Sequence, residues 1–244
     1  MNIDLAAVTE SQAVVLVEGI SDKAALEALA GRRGQRLGRG GICVLAMGGA
    51  ANVGRFLALL GPRGIGVRVA GLCDAGEEGY VRRALEQAGL GVCASRADME
   101  ALGFYVCTAD LEDELIRALG PAVVEQVVRA QGELRSFRTF QKQPAHQRES
   151  PAEQLHRFMG TRSGRKSQYA RLLAGELDLT RVPRPLDRVL AGPPECRRGP
   201  ARPASGCGNA TAPGTGGRSA PPATSTSRCT GGPGQTCPDG GCVG

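Results

Sequence analysis

The chain has 244 residues, 3% of them aromatic and none tryptophan, so a core must be built mainly from Ala, Val and Leu. Its formal net charge of +6 is carried almost wholly by arginine, with Lys23, Lys142 and Lys166 as the only lysines; so mild an excess permits a nucleic-acid partner without demanding one. The opening MNIDLAAVTE lacks the basic start and apolar run of a secretory signal, and no window nears the roughly 18 apolar residues of a membrane span. The expectation is a soluble, cytoplasmic protein with no membrane partner.

The first strand candidate is Ala13 to Glu18, five apolar residues ending in a carboxylate, with Gly19 next and then a helical pattern containing Asp22. A second apolar run, Ile42 to Met47, precedes ANVGRFLALLG. In that segment Val53, Phe56, Leu57 and Leu60 follow helical spacing, and Gly61-Pro62 ends it. A third run, Val67 to Cys73, leads to a helix with Val81, Ala84, Leu85 and Ala88 on one face. A fourth, Phe104 to Thr108, leads to a stripe of Leu111, Leu115 and Leu119. The runs are continuously apolar rather than alternating, which fits strands covered on both faces. Strands alternating with helices predict an α/β fold with a parallel four-stranded sheet flanked by helices.

Cys43, Cys73 and Cys107 sit in strand-like runs as small hydrophobes, and Cys93 precedes an Ala94-Ser95 turn. From about Pro193 onward Gly and Pro dominate and Leu, Ile and Phe vanish. Such a segment buries too little apolar surface to offset its ordering entropy, so residues 193–244 read as a disordered tail. The same composition is what an out-of-frame read of a GC-rich gene produces. Cys237 and Cys242 lack a second matching pair or a histidine, so they make a poor zinc site.

In open α/β sheets, ligands gather at the carboxyl ends of the strands. Here those ends carry acids: Glu18 as the last residue of the first strand, Asp74, Glu77 and Glu78 at the end of the third, and Asp110, Glu112, Asp113 and Glu114 at the end of the fourth, with Asp22 in the first turn of the first helix. Clustered carboxylates cost energy unless a cation joins them, and oxygen-only ligands suit Mg²⁺ or Mn²⁺. Such an ion can polarise a phosphoryl oxygen and activate water. Acids at helix starts are also ordinary caps, a reading open to Asp22, Glu77, Glu78, Asp113 and Glu114 but poor for Glu18 and Asp74.

The ordered set VLVEGISD, MGGAANVGRF, LCDAGEE and TADLEDEL resembles the Toprim domain of OLD-family (overcoming lysogenization defect) nucleases, over roughly residues 10 to 190. The resemblance implies Mg²⁺-dependent action on nucleic-acid phosphodiesters. Carried over residue by residue, it makes Glu18 a metal ligand and general acid or base. Asp22 and Asp74 become metal ligands, and Glu112 a further ligand or water-positioning group. The chain departs from the family's Asp-x-Asp after strand three: Gly76 stands at the second position, so either Glu77 or Glu78 substitutes or the site holds fewer ligands. OLD-type nucleases also have a late basic residue that completes the site. Lys166, at the start of a helix with Tyr169, Leu172, Leu173 and Leu177 in register, is the candidate, placed to stabilise charge on a scissile phosphate. A solvated lysine at a helix start is the plain alternative.

GTRSGRKS has the wrong glycine spacing for a phosphate-binding loop. Arg135, Arg138, Arg162, Arg165 and Arg171 either line a path for backbone phosphates or form a solvated face. His146 and His156 read as surface histidines. Relatives usually carry an ATPase domain ahead of the Toprim part, and no Walker A sequence occurs here, so the resemblance implies a separate ATPase subunit or none. The expected organisation is a Toprim-like catalytic domain at 10–125, a basic helical extension at 126–192 and the tail at 193–244. The expected function is a Mg²⁺- or Mn²⁺-dependent endonuclease that nicks or cleaves DNA, either alone or as a homodimer. The alternative is a non-cleaving nucleic-acid-binding or regulatory subunit that works with a separate ATPase.

Overall fold

A computed structural model describes residues 4–162 and 164–192. The expected tail, with Cys237 and Cys242, lies outside the described residues. The chain begins with helix α1 (Leu5–Thr9) and strand β1 (Ala13–Val17). Helix α2 (Ile20–Arg32) leads to strand β2 (Ile42–Ala46), and helix α3 (Val53–Leu60) leads to strand β3 (Val69–Cys73). Helices α4 (Glu78–Gln87) and α5 (Arg96–Ala101) precede strand β4 (Phe104–Val106). Then come α6 (Leu111–Leu119), α7 (Pro121–Ala130), α8 (Leu134–Gln141), α9 (Pro151–Gly160), α10 (Arg165–Glu176) and α11 (Arg184–Leu190).

The four strands form one parallel sheet in the order β2-β1-β3-β4, with Val15 opposite Val44 on one side and Ala70 on the other. Every residue of β1 is buried, because its two faces serve two separate cores. Val14 and Leu16 point to one core, which holds Phe56, Leu57 and Leu60 of α3 and Val81 and Leu85 of α4. Val15 and Val17 point to the other, which holds Leu26 and Leu29 of α2, Leu115 of α6, Phe137 of α8, Phe158 of α9 and Tyr169 and Leu173 of α10. This double coverage is the physical reason the strands read as unbroken apolar runs. Each fully buried leucine or phenylalanine contributes about 1.5–3 kcal/mol.

The strands are shorter than the apolar runs, for identifiable reasons. β1 stops at Val17 because the Glu18 carbonyl accepts from both the Gly48 and Gly49 amides, at 3.0 and 3.1 Å, and closes the ladder there. β4 stops at Val106: Cys107 still donates to the Cys73 carbonyl at 2.9 Å, but the Thr108 amide goes to the Glu114 carboxylate at 2.7 Å. β3 starts late, at Val69. The helical faces of α3, α4 and α6 follow the expected spacing, with Val53, Phe56, Leu57 and Leu60 all buried in α3. Helix α5 follows the expected Ala94-Ser95 turn, and Ser95 opens it with a reciprocal cap: the Ser95 hydroxyl accepts from the Asp98 amide, and the Asp98 carboxylate accepts from the Ser95 amide. Ser150 and Glu153 open α9 in the same way.

Helix α7 spans the expected boundary at 125/126, and the core beneath α2 continues from β1 to Leu190 of α11. None of the described helices is long and apolar enough to cross a membrane.

Candidate metal centre

The site lies at the carboxyl ends of β1, β3 and β4. Glu18 follows β1 directly, and its backbone is braced rather than its side chain. Gly48 and Gly49, whose amides hold the Glu18 carbonyl, have φ of 73° and 120°, a region that L side chains avoid. Asn52 steadies that turn by donating to the Met47 and Gly48 carbonyls at 3.0 and 3.2 Å. The MGGAAN segment thus sets where Glu18 stands.

Asp22, buried in the first turn of α2, accepts from the Gly19 amide at 2.8 Å, so part of its job is a helix cap. Asp74 follows β3 and precedes a short 3₁₀ turn, Ala75–Glu77, without making a cap hydrogen bond. The adjacent Ala75 amide donates to the Ala109 carbonyl at 2.8 Å, which ties the ends of β3 and β4 together. Of the acids after β4, Glu114 is consumed structurally by the Thr108 amide and by Arg117 at 2.6 Å, and Asp113 by Arg117 at 2.9 Å. Asp110 caps α6 by accepting from the Asp113 amide at 2.8 Å.

Glu112 is different. It is 1% exposed, and among the described residues neither carboxylate oxygen receives a well-directed hydrogen bond. The Lys166 ammonium, half-exposed at the start of α10, lies 3.1 Å from Oε2 and is the counter-charge of this buried carboxylate. A buried carboxylate with one ammonium for a partner keeps acceptor capacity that a further cation could take up.

The electrostatics agree. Burial, then the neighbouring Asp22, Asp110 and Glu18 charges, push Asp74 up to about 7. Burial, then Asp22 and Glu77, raises Glu18, and burial also raises Asp22 and Glu112. Burial works against the Lys166 charge, but Glu112, Asp22 and Asp110 overcome it and raise its pKa. Glu18, Asp22 and Asp74 therefore lie within electrostatic reach of one another, Glu112 within reach of Asp22, and Lys166 within reach of all four. The carboxylates stay under-compensated even with the ammonium present, which is what a divalent-cation site requires of its donors.

Glu77 and Glu78 part company. Glu77 adds to the negative field at Glu18, whereas Glu78 is drawn away into an ion pair with Arg96 at 2.8 Å. Of the two stand-ins weighed for the position of Gly76, Glu77 is the one that bears on Glu18.

Two expectations need correction. His156 is no free surface histidine: its Nε2 meets Asp110 Oδ2 at 2.7 Å, and that bond raises the imidazole pKa. Burial opposes ionisation of Asp110, but the His156 contact and the Asp113 amide together lower its pKa. His146 stacks on Phe140 with ring centroids 3.8 Å apart and contacts Glu149 at 3.0 Å. The proposed arginine path is also broken. Arg165 is buried against Glu133 at 2.8 Å, with Tyr169 donating to the same carboxylate, and Arg138 pairs with Glu125. Arg135 and Arg171 remain exposed. Asp110 and His156, with Glu112, bring one donor atom each to within 4.8 Å of one another, the one such group among the described residues. Sequence reading missed His156 because nothing local marks it; its partner is 46 residues away.

Residues 11–75, from β1 to just past Asp74, match the family model described as "Overcoming lysogenization defect protein-like, TOPRIM domain". That span holds the first two of the four motifs that carry the resemblance and the third as far as Ala75; the fourth, Thr108 to Leu115, lies beyond it. The C-terminal region of the Xanthomonas campestris pv. campestris OLD protein (phased with mercury) superposes with a TM-score of 0.54 at 22% identity, covering 74% of this chain and 93% of that one. The C-terminal region of the Burkholderia pseudomallei OLD protein gives 0.56 at 19% identity, covering 74% and 95%. At these identities the likeness establishes the shared fold. No curated protein matches the chain.

Proposed function

We propose that this chain is a divalent-metal-dependent nuclease that nicks or cleaves DNA phosphodiester bonds. What supports the reading is that Glu18 and Asp22 raise the pKa of Asp74, that Asp22 does the same to Glu18 and to the buried Glu112, and that Lys166 bears on all four. Glu18, Asp22, Asp74 and Glu112 would hold Mg²⁺ or Mn²⁺. The ion supplies Lewis-acid polarisation of a phosphoryl oxygen and a more acidic bound water. Glu18, at the end of β1, would also be the group placed to act as general acid or base. Lys166 stabilises charge gathering on the scissile phosphate, and Glu112 holds the ammonium in place until substrate arrives.

The division of labour follows the chain. Residues 10–125 supply the carboxylates, and residues 126–192 supply Lys166 and His156. An ATPase supplied by a separate subunit, a homodimeric assembly and a cytoplasmic setting belong to the same proposal. A second reading, a binding subunit without turnover, is favoured by Gly76, which removes one carboxylate from the end of β3. A gel shift beside a turnover assay on one DNA separates the two. Metal-dependent turnover supports the nuclease; salt-sensitive binding without turnover in Mg²⁺ or Mn²⁺ supports the second reading.

A further inference from the structure

We propose that Tyr80, with the Arg83 guanidinium against its ring, is a stacking platform for an unpaired base of the substrate strand, and that it makes single-stranded DNA the preferred form. Its place in turnover rests on the nuclease reading. The stacking itself is a binding property that holds with or without cleavage.

The chain has five phenylalanines, three tyrosines and no tryptophan. Every one of these rings is buried except that of Tyr80, which is 53% exposed. A single exposed aromatic means little by itself; its surroundings give it a use. Tyr80 stands in the first turn of α4, three residues after Glu77, so the turn that adds a charge beside Glu18 also carries the ring. The buried face of α4 is Val81, Ala84 and Leu85, and Tyr80 takes no part in it. The Arg83 guanidinium lies over the ring, 5.1 Å from its centroid. That contact steadies the ring and leaves its other face for a second flat partner.

The backbone leading to the ring is bare. Gly76 and Gly79 are exposed, and a Cβ at Gly76 would meet nothing within 4 Å. The same holds at Gly48 and Gly49, in the turn that leads into the Ala50–Asn52 segment packed beside α4. Backbone without side chains lets a nucleotide approach closely. Arg55, exposed in the first turn of α3, offers a fork to a backbone phosphate. Glu78 does not repel that phosphate with a free charge, because Arg96 pairs with it at 2.8 Å. Gly76, which leaves the end of β3 one carboxylate short, thereby clears the approach between the carboxylates and Tyr80. Bases inside a duplex are stacked on their neighbours and offer no free face, whereas an unpaired base does. Stacking on an aromatic ring therefore selects the single strand, and it does so whatever the base.

The test is binding of the full-length chain to a labelled oligothymidylate and to a duplex of the same length, in EDTA and low salt, so that stacking is read apart from chemistry. The wild type should prefer the single strand by about tenfold or more. Tyr80→Ala should weaken single-strand binding by about tenfold, the loss of one stacked base, and leave duplex binding where it was. Tyr80→Phe keeps the ring and should stay within about twofold of the wild type on the single strand. Tyrosine emission should fall as the single strand binds, since Tyr80 is the exposed one of the three and no tryptophan masks it. In Tyr80→Ala that quenching should vanish. A wild type without preference for the single strand, equal losses on both forms in Tyr80→Ala, or a Tyr80→Ala variant that binds as the wild type does would each overturn the platform. Tyr80-dependent binding of the single strand with no turnover in Mg²⁺ or Mn²⁺ keeps the platform and removes the nuclease. Metal-dependent turnover with single-strand binding indifferent to Tyr80 does the reverse.

Discussion

Replacing Asp74 by Asn should stabilise the metal-free protein above neutral pH. The Asp74 carboxyl makes no cap hydrogen bond that the amide would forfeit, and burial with the nearby Asp22, Asp110 and Glu18 charges pushes its pKa from 3.8 to about 7. The folded state therefore keeps a proton that the unfolded chain releases. The stability that this proton confers is full below pH ~4 and drains away as pH rises through about 7. At full weight the displacement is worth about 4 kcal/mol at pH 8, and less than half of that at pH 5. Asp74 is only partly buried, so solvent screening reduces the pH 8 figure to about 1–2 kcal/mol. For a body of this size that is a rise in Tm of about 2–8 °C. Thermal melts of wild type and Asp74→Asn in EDTA, at pH 5 and pH 8, isolate the pH-dependent part of the difference. Saturating Mg²⁺ should shrink or invert the gap at pH 8, because only the wild type keeps the ligand. A variant equally or less stable than wild type at both pH values, in EDTA, would refute the claim that these acids are held together at a cost.

Glu77→Gln should weaken metal binding severalfold, whereas Glu78→Gln, which removes only the pair with Arg96, should leave it unchanged; titration of both with Mn²⁺ decides which glutamate serves the site. Arg165→Ala should cost about 3 kcal/mol in denaturant unfolding, because it strips Glu133 of the buried guanidinium it faces at 2.8 Å. Gly71→Ala should cost about 1–3 kcal/mol by the same measure, since a Cβ there would stand 2.4 Å from the Phe104 ring on β4.

Much of the sheet was legible because parallel strands covered on both faces leave continuous apolar runs, and because each run ended in a short acid-bearing motif. The sequence placed Asp74 after a strand and Asp22 in the first turn of α2, as the structure has them, and put Glu18 on the last residue of a strand that ends one residue earlier. It could not rank the acids after β4. Whether Glu112 or Glu114 is spent on structure depends on Thr108 and Arg117, and helical spacing alone assigns neither. The arginines misled for a similar reason. Arg165 and Lys166 are adjacent, yet the turn of α10 sends the first into the core against Glu133 and the second to Glu112. His156 and Asp110 meet only through the packing of α9 beside α6, a tertiary fact without a local signature.

The most direct test of the central claim is plasmid nicking by the full-length chain in Mg²⁺, Mn²⁺ or EDTA, beside Glu18→Gln. The account predicts conversion of supercoiled to nicked or linear DNA with either ion, none in EDTA, and a loss of at least a hundredfold in the variant. Cleavage that persists in EDTA, or undiminished cleavage by Glu18→Gln, would contradict it.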